Sequence, residues 1–81
     1  MPFVYIVECS DGTLYTDSAE DLDKKLAQHN AGKGAKYTKA RIPVILRYKE
    51  EIPNWGTALR REREIKKLPR NKKMSLLEFK I

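Results

Sequence analysis

The sequence predicts an α+β domain, a small three-stranded antiparallel sheet flanked by helices in the order β-β-α-β-α-α. Three observations predict it. Two β-rich runs, Val4 to Cys9 and Thr13 to Asp17, flank an Asp11-Gly12 pair, the strongest short-range hairpin signal a sequence offers. Leu22, Leu26 and His29 recur at helical spacing just afterwards. A later run, Val44-Ile45-Leu46-Arg47-Tyr48, is almost continuously apolar at first, the pattern of a strand central in its sheet, and two helical stretches follow it.

The hairpin register follows from the residues that favour burial. A two-residue loop at Asp11-Gly12 would put Tyr5 and Tyr15 on opposite faces and separate Val4 and Ile6 from Leu14. A three-residue loop, Ser10-Asp11-Gly12 with Gly12 left-handed, pairs Cys9 with Thr13 instead. Val4, Ile6, Leu14 and Thr16 then share one face, and Tyr5, Val7, Tyr15 and Asp17 the other. A one-residue slip turns every side chain over, so the apolar set selects the second register.

Ser18 is the expected cap of the first helix, with Asp21 reaching back to it and Glu20 and Asp21 suiting the positive end of the dipole. Gly32 ends that helix. Lys33 to Arg41 is a basic loop with Tyr37 inside it. Pro43 starts the third strand, and Lys49-Glu50-Glu51 close it. Pro53 to Gly56 reads as a turn, with Trp55 a partly buried anchor. Thr57 caps a helix over Ala58 to Lys67, and Pro69 begins a last helix through about Leu77, packed back through Met74 and Leu77.

A chain of 81 residues allows one domain, 1–81, with one modest core. The formal net charge of +6 fits a polyanion partner, although solubility alone also explains it. One cysteine, Cys9, excludes an internal disulfide, reads as a packing residue and fits a cytoplasmic setting. No apolar run approaches the ~20 residues needed to cross a bilayer, and the N-terminus lacks the basic start and apolar stretch of a signal peptide.

Several residues have the right chemistry for a site. Glu62 lies on the inward stripe with Ala58 and Ile65, where a carboxylate needs an ion-pair partner or a bound cation. Tyr5 and Tyr15 either pack beneath a helix or orient and deprotonate a water, and a tyrosine with an ordinary pKa of about 10 needs nearby cations for the second task. His29 is either a packed histidine or a proton shuttle, and Lys25, four residues earlier, is its surface neighbour. Lys33, Lys36, Lys39 and Arg41, with backbone amides freed at Gly32 and Gly34, suit phosphate contacts. Tyr37 either stacks on a base or packs against the sheet. Nothing in this set reads base edges, so sequence preference is expected to be weak. Arg60, Arg61, Lys66, Lys67, Arg70, Lys72 and Lys73 read as solvated helical faces.

Val4-Tyr5-Ile6, the Asp11-Gly12 turn and Leu14-Tyr15-Thr16 resemble the paired motifs of the GIY-YIG nuclease superfamily. Gly32-Lys33-Gly34-Ala35-Lys36-Tyr37-Thr38 and Ala58-Leu59-Arg60-Arg61-Glu62 resemble its small single-domain bacterial branch, the UPF0213-like proteins. The likeness runs roughly from Val4 to Leu77 and shares the architecture expected above. It implies a metal-dependent endonuclease that hydrolyses DNA phosphodiesters. The basic loop without base-edge readers points to DNA structure rather than sequence as what is selected, and a chain of only 81 residues leaves room for a protein partner that supplies specificity. Glu62 falls where the family places its metal-binding carboxylate, for Mg²⁺ or Mn²⁺. Tyr5 and Tyr15 fall where the attacking water is arranged, and His29 where a histidine assists proton movement. Lys25 stands where the family carries an arginine on the scissile phosphate; it keeps the charge and loses the bidentate fork. Asp17 replaces the last glycine of the second motif, and Phe3 the glycine of the first. Asp17 can repel the phosphate, add a metal ligand or turn to solvent. These departures sustain an alternative function, a nucleic-acid-binding module that keeps the nuclease fold with impaired catalysis.

Overall fold

A computed structural model describes residues 1–78; residues 79–81, the end of the expected domain, lie outside the described residues. Strands β1 (Phe3–Glu8), β2 (Leu14–Ala19) and β3 (Ile45–Glu51) form one antiparallel sheet in the order β2-β1-β3. Helices α1 (Leu22–Asn30), α3 (Trp55–Lys66) and α4 (Arg70–Glu78) follow the expected sequence of elements. A four-residue helix, α2 (Lys36–Lys39), forms inside the stretch expected to be loop. Among the described residues no helix is long and apolar enough to cross a membrane.

The hairpin adopts the three-residue turn. Cys9 N–H donates to the Thr13 carbonyl at 2.8 Å, Gly12 N–H donates to the Cys9 carbonyl at 2.9 Å, and Gly12 has φ of 84°. That left-handed conformation costs glycine little and most other residues more. Pairing then runs Val7 to Tyr15 and Tyr5 to Asp17, so the tyrosines share one face as expected. Val4 and Ile6 point to the other face, where they pack with Tyr48, Ile52, Ala58, Ile65 and Leu77 under α3 and α4. Tyr5 and Val7 pack with Cys9, Ala19, Leu22 and Val44 under α1. Helices therefore cover both faces of the sheet. The run Val4 to Val7 is fully buried, each side chain removing about 1.5–3 kcal/mol worth of apolar surface from water.

The central strand is β1, not the Val44 run. β3 begins at Ile45, which is 62% exposed, and lies at the sheet edge with Lys49 and Glu51 exposed. The apolar look of Val44-Ile45-Leu46 has another origin. Ile6 pairs with Tyr48 and Val7 with Leu46, so the register shifts and Arg47 is left over as a bulge. Leu46 and Tyr48 consequently reach opposite faces although they are two residues apart.

Helix starts also differ from expectation. Ser18 stays in β2, paired with Val4, and the cap of α1 is Asp21, whose carboxylate accepts from Lys24 N–H at 3.1 Å. Asn54, not Thr57, caps α3 and accepts from Thr57 N–H at 2.9 Å, so the helix takes in Trp55 and Gly56. At the other end of the chain, Leu77 packs into the core as expected, while Met74 stays exposed.

This layering predicts unequal costs along α3. Ile65→Ala removes a fully buried side chain and should destabilise the domain by about 2–5 kcal/mol. Leu59→Ala, at an exposed position of the same helix, should change stability by no more than about 0.5 kcal/mol. Urea unfolding followed by circular dichroism measures both.

Candidate active site

Three elements bring their side chains together on the α1 side of the sheet. β1 supplies Tyr5, β2 supplies Tyr15 and Asp17, and α1 supplies His29 with Lys25 one turn earlier. The Tyr5 hydroxyl lies 2.9 Å from His29 Nε2. The imidazole meets both phenol rings edge-on, with centroids 6.2 Å from Tyr5 and 5.8 Å from Tyr15. Tyr5 and His29 are fully buried, as packed residues are, and they face each other within the cluster.

The second nitrogen of His29 is also occupied. Its Nδ1 lies 2.8 Å from Thr38 Oγ1, and Thr38 is fully buried. Thr38 belongs to the Gly34-Ala35-Lys36-Tyr37-Thr38 run, yet nothing in the sequence marks it as part of the site. The available signal was indirect: a buried histidine needs a partner for each nitrogen. At Gly32 the structure corrects the expectation of a free backbone amide. Gly32 N–H donates to the His29 carbonyl at 3.0 Å as part of the α1 end. Gly34 lies against His29 itself, where an added Cβ would sit 2.3 Å from Nδ1.

Asp17 does not turn to solvent. One carboxylate oxygen accepts from Ser18 N–H at 2.9 Å and the other from the Tyr15 hydroxyl at 3.4 Å. Glu62 comes from the α3 side at the β2 edge. Its Oε1 accepts from Ser18 Oγ at 2.6 Å and its Oε2 from Lys66 Nζ at 2.7 Å, with the Glu62 side chain 13% exposed. The inward-stripe carboxylate is thus ion-paired, as its position required.

Burial, followed by the charges of Asp17 and Glu62, raises the pKa of both tyrosines. Tyr15 is pushed up to about 12, its bond to Asp17 adding to the rise, and Tyr5 rises further. Burial and these neighbouring acids therefore hold the Tyr5 phenol toward its neutral form. Burial and then the charge of Lys25 lower the His29 pKa, partly opposed by Asp17.

Tyr37 stacks on Tyr15 with ring centroids 5.4 Å apart and an interplanar angle of 15°. The Arg41 guanidinium lies 4.2 Å over the Tyr37 ring, donates to the Tyr37 carbonyl at 2.7 Å and pairs with Asp11 at 3.0 Å. Both residues thus brace the hairpin, and Tyr37 packs on Tyr15 while remaining 39% exposed. Lys33, Lys36 and Lys39 remain exposed. Trp55 is 44% exposed at the start of α3. Among the described residues there is no enclosed pocket.

The donor set can be tested against a divalent cation. Among the described residues no three His, Cys, Asp or Glu side chains cluster as a metal cage. Glu62 is a hard oxygen donor, nearly buried, whose cationic neighbour Lys66 sits on a flexible and half-exposed stem. That fits an ion of the Mg²⁺ type, which takes one or two carboxylates and completes its shell with water and substrate phosphate.

Comparisons with known proteins agree with this fold. Residues 1–75 match the family model of the GIY-YIG catalytic domain. A UPF0213 protein of Staphylococcus saprophyticus is 51% identical over 75 residues, covering 93% of this chain and 92% of its own. A UPF0213 protein of Halobacterium salinarum is 50% identical over 76 residues, covering 94% of this chain and 99% of its own. The solution structure of a UPF0213 protein from Bacillus halodurans superposes with a TM-score of 0.64 at 43% identity, covering 99% of this chain and 86% of that one. The chain belongs to the GIY-YIG family, and its relatives within that family are UPF0213 proteins.

Proposed function

We propose that the protein is a metal-dependent endonuclease that hydrolyses DNA phosphodiesters in the cytoplasm. The observation that carries this reading is the contact of Tyr5 with His29 beneath Tyr15, in the field of Glu62, Asp17 and Lys25. A phenol whose pKa is raised does not ionise first and act later. Tyr5 is fully buried, so it would meet the attacking water only where bound substrate opens the face over it; it would then pass its own proton to His29, within hydrogen-bond reach, as it takes the proton of the water. The water oxygen then attacks phosphorus, the P–O bond to the departing strand breaks, and the leaving oxygen takes a proton from solvent. Tyr15 lines the same wall, and Lys25 offsets the charge that develops on the phosphate. Glu62 would hold the ion, Mg²⁺ or Mn²⁺, which when bound polarises the phosphate and stabilises the leaving oxygen. Lys66 neutralises that carboxylate now and would compete with the ion.

The exposed Lys33, Lys36 and Lys39 support backbone contact with DNA without sequence readout. Arg41 contributes less, since Asp11 and Tyr37 hold it. Specificity for DNA structure would come from this face or from a protein partner.

One observation favours a second reading, a nucleic-acid-binding module with impaired catalysis. The Asp17 carboxylate lies against Tyr15, where its charge repels an approaching phosphate. Lys25 also offers a point charge in place of a planar fork.

Three results are expected. In single-turnover cleavage of branched and linear DNA with Mg²⁺, Glu62→Gln should slow cleavage by about 10²-fold or more while DNA binding persists. Wild type as inactive as Glu62→Gln, with normal binding, would establish the binding module instead. The acid limb of the rate profile should lie below the ordinary histidine value of about 6.5, because burial and Lys25 hold His29 neutral. A histidine whose folded pKa is depressed stabilises the fold above about pH 6.5, and that contribution is lost as pH falls through the folded value. Stability should therefore decline over the same acidic range, and pH-dependent cleavage and denaturation measure the two effects. Finally, replacing Lys33, Lys36 and Lys39 together by Ala should flatten the salt dependence of duplex binding. The slope of log affinity against log salt should fall by about 0.9 for each phosphate that these lysines no longer neutralise. An unchanged slope in filter binding would move the DNA surface to the basic faces of α3 and α4.

A further inference from the structure

The hydrogens around His29 can be assigned from its partners. Thr38 Oγ1 carries one hydrogen and donates it to the Ala35 carbonyl at 3.1 Å, the local bond a threonine makes within a short helix. With its hydrogen on the Ala35 carbonyl, that oxygen accepts from His29 Nδ1, 2.8 Å away, which places the imidazole hydrogen on Nδ1. A neutral ring has one N–H, which leaves Nε2 bare, and the Tyr5 hydroxyl at 2.9 Å donates to it. The chain of bonds runs in one direction, from Tyr5 to His29 to Thr38 to Ala35, with every member buried or backed by backbone. Gly34 completes the clamp. A Cβ there would approach Nδ1 to 2.3 Å, the ring Cγ to 2.8 Å and the His29 Cα to 2.9 Å, so only glycine lets this segment lie flat on the imidazole.

We propose that Thr38 is a positioning residue, which with Gly34 holds His29 as the Nδ1–H tautomer so that Nε2 faces Tyr5 as a bare proton acceptor. Its catalytic consequence rests on the nuclease reading above; the tautomer itself does not. The segment expected to bind phosphate thus has a second task on its inner side, setting the proton direction of the tyrosine–histidine pair. The opposite arrangement, Nε2–H donating to Tyr5, would leave the pair unable to move a proton from water to His29. Other groups face the ring from every side: Tyr5 from β1, Tyr15 and Asp17 from β2, and Lys25 from its own helix. Of the side chains in hydrogen-bond contact with the ring, Thr38 is the one that meets Nδ1.

His29 is the only histidine of the chain, so its ring nitrogens are read without assignment ambiguity by multiple-bond ¹⁵N–¹H NMR on the full chain. Wild type at neutral pH should show Nδ1–H. Thr38→Val keeps the shape and removes the acceptor, and should shift the tautomer ratio toward Nε2–H by about tenfold or more; Thr38→Ser should restore the wild-type ratio. In cleavage, Thr38→Val should lower turnover by about 10²-fold with DNA affinity unchanged, and Thr38→Ser should recover it. Wild type in the Nε2–H form, or Thr38→Val retaining Nδ1–H, overturns the proposal. If Thr38→Val fails to fold, the wild-type tautomer and its retention in Thr38→Ser decide the matter alone. An Nδ1–H ring in a protein that never cleaves DNA supports the positioning role and defeats the nuclease reading. Cleavage with an Nε2–H ring does the reverse.

Discussion

The backbone bond from Cys9 N–H to the Thr13 carbonyl closes a turn of three residues rather than two, with Gly12 supplying the left-handed position. With that count, odd-numbered residues of the hairpin face α1 and even-numbered ones face α3. Removing one residue from the turn would put Tyr15 under α3 and leave Tyr5 alone with His29. The turn is braced from outside by Arg41, which pairs with Asp11, and by Arg70, which donates to the Gly12 carbonyl at 3.1 Å. A hairpin by itself is marginal in water. Here both of its faces are covered, so its register is held by two cores instead of one.

The α1 side of that sheet is unusual in burying polar groups where a small domain can least spare apolar packing. Tyr5, His29 and Thr38 are fully buried, and each finds its partner within the cluster. Leaving one such group unpaired costs about 1–3 kcal/mol, a large share of a small domain's stability. The cluster therefore has little freedom to be partly formed. The proton transfer proposed for this site would need that rigidity, with donors and acceptors in place before a substrate arrives. Tyr37 and Arg41 extend the order outward, since stacking on Tyr15 ties α2 to the hairpin.

The net positive charge of the protein hides a mixed site, in which Asp17 and Glu62 stand beside Lys25 and Lys66. The chain carries +6, yet the tyrosine wall lies near Asp17 and Glu62, whose charges add to burial in raising both phenol pKa values. Exposed lysines on the Lys33 to Lys39 segment can draw a polyanion toward the face, whereas the acids resist its final approach unless a cation intervenes. Glu62 is held by Ser18 and Lys66, so its negative charge is already partly answered. Asp17 is answered chiefly by Ser18 N–H and the Tyr15 hydroxyl, which makes it the sharpest electrostatic departure in the site.

The hairpin, its register and the shared face of Tyr5 and Tyr15 were legible in the sequence because they depend on short-range rules: turn chemistry and a period of two. The stripe of Leu22, Leu26 and His29 was legible for the same reason, with a period of 3.6. Where a helix begins was less so. Ser18 and Thr57 are good caps by type, but Ser18 is claimed by pairing with Val4 and Thr57 donates to Asn54 instead. The edge position of β3 was hidden because one extra residue, Arg47, sends Leu46 and Tyr48 to opposite faces, and a bulge leaves no mark in a hydrophobic pattern. Resemblance marked Glu62 and His29, yet not Thr38 or the reason for Gly34. Those depend on contacts between α1 and α2 that no spacing encodes. The sequence by itself determined which residues face the same way along a strand or a helix, since neighbouring residues set that locally. Only the tertiary structure decided which of those faces meet, because packing α2 onto His29 and α3 onto the β2 edge joins residues distant in the chain through a core they bury together.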